Sequence, residues 1–132
     1  MVYNEFGELY VRASLADAAL PVEGAKVIVR GADEYNGDVE FSLLTNRDGL
    51  TETVRLPTPA KIYSESAFPK EAPYAVYDVE ISKEGYLTKR VLGVPIFSSV
   101  RSLLPVNMII ADAGRPAGTI VTRSGENELL ER

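Results

Sequence analysis

The chain reads as all-β, a Greek-key β-sandwich of about seven strands, and three observations predict it. Short runs alternate apolar and polar residues with the two-residue period of a strand that buries one face. Gly, Pro and Asx turn signals cut these runs at near-regular intervals between Leu20 and Ile110, which is the spacing of a sandwich or barrel. A length of 132 residues suits one domain with a single core.

Glu8 to Ser14 is the first expected strand, with Leu9, Val11 and Ala13 on one face and Tyr10, Arg12 and Ser14 on the other. Asp17 to Pro21 is a connection. Ala25 to Arg30 follows, placing Ala25, Val27 and Val29 inward and Lys26 outward, and its β-branched content fits a half-buried pleated surface. The Asn36-Gly37 pair favours positive φ and predicts a turn. Val39 to Thr45 and Leu50 to Leu56 are then expected to form a hairpin about the Asn46-Arg47-Asp48-Gly49 turn.

Residues 57–73 show no strand or helix period and hold four of the eight prolines. A loop of that length inside a compact domain is usually functional or mobile. Tyr63 and Phe68 within it serve either as exposed contacts or as pins that hold the loop on the sandwich. Tyr74 to Ser82, Leu87 to Val94 and Leu103 to Ala111 complete the strands, the last with Leu104, Val106, Met108 and Ile110 in phase. From Asp112 the pattern stops. The expected organisation is a sandwich over 1–112 and a polar linker or disordered tail over 113–132.

Composition excludes several kinds of chemistry. The net charge is −5 with acids and bases interspersed, which does not make the basic footprint of a nucleic-acid binder. There is no Cys, so no disulfide or thiolate, and no His, the commonest general base and metal ligand. No segment approaches a membrane span, and Met1 to Glu8 lacks the basic and apolar regions of a signal peptide, so localisation stays open.

The remaining options are sparse. Ser98, Ser99 and Ser102 share a loop without a lysine nearby in sequence. Asp78 and Glu80 share an outward strand face, the ordinary place for solvated carboxylates. Asp33, Asn36, Asp38 and Glu40 form an oxygen-rich stretch, yet the order of an EF-hand is absent and Asx-rich turns look the same. An intramolecular Lys–Asn bond would need Lys, Asn and an acid buried together. Asn107 suits it, but Arg12 stands where the first strand would carry lysine. The residues therefore name no catalytic group, metal site or cofactor.

Three segments carry a family resemblance. Pro21-Val22-Glu23-Gly24-Ala25-Lys26-Val27, Thr45-Asn46-Arg47-Asp48-Gly49-Leu50, and Tyr77-Asp78-Val79-Glu80-Ile81 with Gly85-Tyr86 resemble the opening, hairpin and strand-turn motifs of carboxypeptidase regulatory-like domains. That resemblance implies a transthyretin-like (prealbumin-like) sandwich. More narrowly, Gly49-Leu50-Thr51-Glu52, Pro57-Thr58-Pro59, Pro73 to Val79, Val94-Pro95-Ile96-Phe97 and Leu104-Pro105-Val106-Asn107-Met108 resemble the non-catalytic N-terminal domain of clostridial spore cortex-lytic and peptidoglycan-binding proteins.

The resemblance implies a non-enzymatic accessory module for binding, targeting or assembly, with peptidoglycan or an envelope or spore protein as partner. Its expected surface is loop 57–73 with loop 96–102. Tyr63, Phe68 and Phe97 would supply contact area there and Arg101 a polar anchor. The alternatives on this fold are an oligomeric small-ligand carrier of transthyretin type and a hydroxyisourate hydrolase. The hydrolase site resembles a His and Arg cluster with a C-terminal Tyr-Arg-Gly-Ser. This chain has no His and ends Leu-Leu-Glu-Arg.

Overall fold

Two sheets pack face to face because each strand's apolar phase must leave water, and the facing sheet provides the cover. The computed structural model describes residues 2–15, 18–61, 74–111 and 118–124. Nine strands lie among them: β1 (Glu5–Leu15), β2 (Leu20–Pro21), β3 (Lys26–Gly31), β4 (Glu40–Leu44), β5 (Val54–Thr58), β6 (Ala75–Ser82), β7 (Thr88–Ile96), β8 (Arg101–Asn107) and β9 (Thr119–Arg123).

The four-stranded sheet is built on β1. Along one of its edges run β5 and β2, both antiparallel, and along the other runs β8, parallel. The five-stranded sheet has the order β4-β3-β6-β7-β9, with only the β7–β9 pair parallel. Leu9, Val11 and Ala13 of β1 face Val27 and Val29 of β3 and Tyr77, Val79 and Ile81 of β6 across the core, all essentially inaccessible to water. The inward phases expected for these strands are the observed ones.

The expected hairpin of β4 and β5 is not present. β4 pairs with β3 and β5 with β1, so the chain crosses from one sheet to the other between them. The turn chemistry is as expected, with the Asn46 side-chain oxygen accepting from Asp48 N (2.9 Å) and Leu50 N (3.1 Å). Tertiary bonds redirect its exit. Thr51 Oγ1 accepts from Val11 N (2.9 Å), and Ala13 N donates to Gly49 O (2.8 Å). Gly49 has φ +77°, and a Cβ there would lie 2.4 Å from Ala13 O, so only glycine fits this corner.

Two further departures concern the C-terminal part. Ile110 is 59% exposed and does not continue the buried phase of Val106 and Met108. Thr119–Arg123, expected within a patternless tail, forms β9 on the edge of the five-stranded sheet. Its Ile120 and Thr122 are half-buried and the alternate residues exposed, an amphipathic run too short and too polar to announce itself.

Candidate functional site

All outward side chains of β1 lie on one surface, and the register of its neighbours decides what joins them. Phe6, Glu8, Tyr10 and Arg12 occupy that phase. Opposite Glu8 stand Arg55 of β5 on one side and Arg101 of β8 on the other. Pro57 lies opposite Phe6, Leu103 opposite Tyr10 and Pro105 opposite Arg12. With strands spaced about 4.8 Å, the two arginines flank the glutamate at roughly 10 Å from each other at the backbone.

Neither arginine turns to Glu8. The Arg55 guanidinium lies 4.2 Å from the centre of the Phe6 ring, and that of Arg101 lies 5.0 Å from the centre of the Tyr10 ring. Both are cation–π distances, and the rings also shelter the aliphatic stems. Arg101 Nη2 donates one hydrogen bond to Thr53 Oγ1 (3.1 Å). Among the described residues, Arg12, Arg55, Arg101 and Glu8 form no ion pair. Arg12 Nε is buried without a hydrogen-bond partner, as is Oδ1 of Asn107, which lies in the same outward phase of β8.

The loop from Phe97 to Val100 fixes the start of β8 against β1. Ser99, at φ +62°, donates its N–H to Phe6 O (2.8 Å), and Glu8 N donates to Val100 O (2.9 Å). The fit is close: a Cβ on Gly7 would sit 2.3 Å from Phe97 O. Glu5 Oε1 accepts from Ser98 Oγ and from Lys61 N. These bonds, the serine's first, hold the Glu5 carboxyl below its ordinary value. A serine beside a carboxylate suggests a nucleophile and base, but a carboxylate stabilised in its charged form is a poor base. The contact fastens the loop.

Of the residues expected at the site, Arg101 lies on this exposed face. Phe97 is half-buried and packs on Tyr74 with ring centres 5.3 Å apart, at the segment entering β6. Tyr63 and Phe68 lie outside the described residues. Sequence reasoning missed Phe6, Tyr10 and Arg55. The available signal was the alternation of aromatic and charged residues in the outward phase of β1, but nothing local says which strands flank it.

Asp33, Tyr3, Tyr77, Asp78 and Glu80 are engaged structurally. Asp33 accepts from Tyr3 OH (2.9 Å), Val76 N (2.9 Å), Tyr35 N (2.9 Å) and Asn36 Nδ2 (3.3 Å), which accounts for the oxygen-rich stretch. Burial first and Asp33 second push the Tyr3 hydroxyl well above its usual range. Burial also raises Tyr77, whose hydroxyl donates to Pro57 O (2.7 Å), to about 12. Asp78 Oδ1 accepts from Gly93 N (3.0 Å) at a bulge where β7 carries an extra residue and Gly93 has φ +74°. Glu80 pairs with Arg90.

A small hollow of about 110 Å³ borders Asp78, Glu80 and Arg90, and two others matter more for the outer surfaces. One of about 360 Å³ is lined by Glu5, Phe6, Glu8, Arg55, Ser98 and Ser99, and so opens onto the arginine face. A larger one of about 770 Å³ runs beside β4 and the 45–52 corner. Its lining mixes Lys26 and Glu52 with Leu43, Leu44 and Leu50.

No protein-family model matches the chain, and no curated protein sequence matches it. Among solved structures, the Bacillus anthracis TIE protein is similar over 81% of this chain, with a TM-score of 0.52 and 15% identity. Chlorocatechol 1,2-dioxygenase from Pseudomonas putida aligns over 83% of the chain (TM-score 0.44, 12% identity). Catechol 1,2-dioxygenase from Acinetobacter sp. ADP1 aligns over 89% (TM-score 0.46, 13% identity). The chain spans 17% of the first of these proteins and 62% and 59% of the other two. The first likeness concerns the β-sandwich fold alone. No helix among the described residues is long and apolar enough to cross a membrane.

Proposed function

We propose that the chain is a non-catalytic β-sandwich module that binds peptidoglycan at the bacterial envelope or spore. One observation carries the reading: the outer face of the four-stranded sheet presents arginines backed by aromatic rings and, among the described residues, without carboxylate partners. Guanidiniums seated over ring faces suit a ligand that carries carboxylates. The resemblance to carboxypeptidase regulatory-like domains of spore proteins supports the same reading. The working surface is then the face of β5, β1 and β8, with the 97–100 loop as its rim.

Co-sedimentation tests it. The purified chain is mixed with cortex and with vegetative peptidoglycan, beside an unrelated acidic β-sandwich of similar size. Selective pelleting of the chain is the expected result. Recovery in the supernatant, equal to the control, would end the peptidoglycan reading and point to a protein partner.

A further inference from the structure

We infer that the Arg55–Glu8–Arg101 row is a docking surface for spaced carboxylates, with Arg12 continuing it along β1. Within the proposed function, on which this inference rests, the ligand groups are the free carboxylates of peptidoglycan stem peptides.

Charge selects the ligand class. The face holds Arg12, Arg55 and Arg101 against Glu8, with Glu5 at its rim in the hollow beside Arg55, in a chain whose net charge is −5. A guanidinium offers five N–H donors in a planar fork that matches a carboxylate. Arg55 makes no hydrogen bond among the described residues, and Arg101 makes one. Both forks are held over rings, so less side-chain freedom is lost when a ligand arrives. Glu8 between them disfavours a continuous polyanion and admits separate anionic groups on either side. Phe6, Leu103 and Val100, each 37–46% exposed, offer apolar area for the uncharged part of the ligand.

A phosphate would match the same fork, so the test separates the two anions. Pelleting is measured on native peptidoglycan walls, on walls stripped of phosphate polymers with hydrofluoric acid, and on walls whose carboxyls are amidated with carbodiimide. The proteins are the wild type, the Arg55→Gln/Arg101→Gln double variant and an Arg30→Gln/Arg90→Gln control from the opposite face, each checked for folding by circular dichroism.

The expected result is wild-type binding to native and acid-stripped walls, and about tenfold weaker binding to amidated walls. The Arg55/Arg101 variant loses about tenfold on native walls and the control variant keeps its binding. Wild-type binding that survives both amidation and the double substitution overturns the inference and leaves the proposed function standing. Loss on acid stripping with retention on amidated walls overturns it in favour of phosphate. Failure of the wild type to pellet on any wall overturns both.

Discussion

On the outer face of the five-stranded sheet, Arg30 meets Glu40 at 2.9 Å across β3 and β4, and Arg90 meets Glu80 at 3.6 Å across β7 and β6. The four-stranded sheet has the same ingredients in the same kind of register, since Glu8 stands opposite both Arg55 and Arg101. There the arginines lie over Phe6 and Tyr10 and leave the glutamate alone. Cross-strand adjacency therefore does not decide pairing. An exposed ion pair contributes about as little as an exposed cation–π contact, and a neighbouring ring also covers the stem. Arg30 and Arg90 are therefore committed to carboxylates, whereas Arg55 and Arg101 form no ion pair among the described residues.

The largest expected effect comes from unseating the loop that rims the face of Arg55 and Arg101. Gly7→Ala would place a Cβ 2.3 Å from Phe97 O and 2.6 Å from Ile96 Cγ2. Backbone must move, so destabilisation of about 3 kcal/mol is expected by denaturant titration, together with loss of wall binding. Wild-type stability would show that the 97–100 loop is not seated on β1.

Removing the rings while keeping apolar bulk probes the stacks themselves. Phe6→Leu with Tyr10→Leu is expected to weaken wall binding several-fold, on the order of 1 kcal/mol, by freeing both guanidiniums. Unchanged sedimentation would mean that the rings do not prepare the arginines for a ligand.

The converse experiment frees the paired arginines. Glu40→Gln with Glu80→Gln frees Arg30 and Arg90, whose present partners are exposed or half-exposed. Melting temperature is expected to stay where it is, because such pairs contribute little. Wall binding is expected to stay unchanged as well. A rise to a second wall-binding surface would reduce the difference between the faces to a count of unpaired charges.

The smallest effect is one of pH slope. Glu5 is held below its ordinary pKa of 4.5, chiefly by Ser98. A depressed carboxyl stabilises the fold above its unfolded pKa, and that contribution disappears as pH falls through the folded value. Ser98→Ala should therefore lower stability at neutral pH, with the gap to wild type narrowing below about pH 4.5. A gap that stays constant down to pH 2 would show that the serine acts only through packing.

Much of the sandwich was legible in residue order. Alternation placed Leu9, Val11, Val27, Val29, Tyr77, Val79 and Ile81 inward, as observed. Asn46 and Gly49 announced a turn and formed one, but could not say that its exit would join β1 in place of β4. That choice rests on Thr51 and Gly49 bonding to Val11 and Ala13, some 40 residues away. Phe97 reads as a contact aromatic in sequence, and the structure packs it against Tyr74 and leaves it half-buried.

The candidate site divides in the same way. By itself the sequence determined that Tyr10 and Arg12 share the face opposite Leu9, Val11 and Ala13, because a strand's period of two requires it; Phe6 and Glu8 join them because β1 begins at Glu5. The sequence also determined that no histidine or cysteine chemistry is present. Tertiary structure alone decided that Arg55 and Arg101, 46 positions apart, lie on either side of Glu8, and that rings and not the carboxylate hold them. The physical reason is that strand neighbours and side-chain rotamers follow from how the whole core closes, and local pattern carries no record of that.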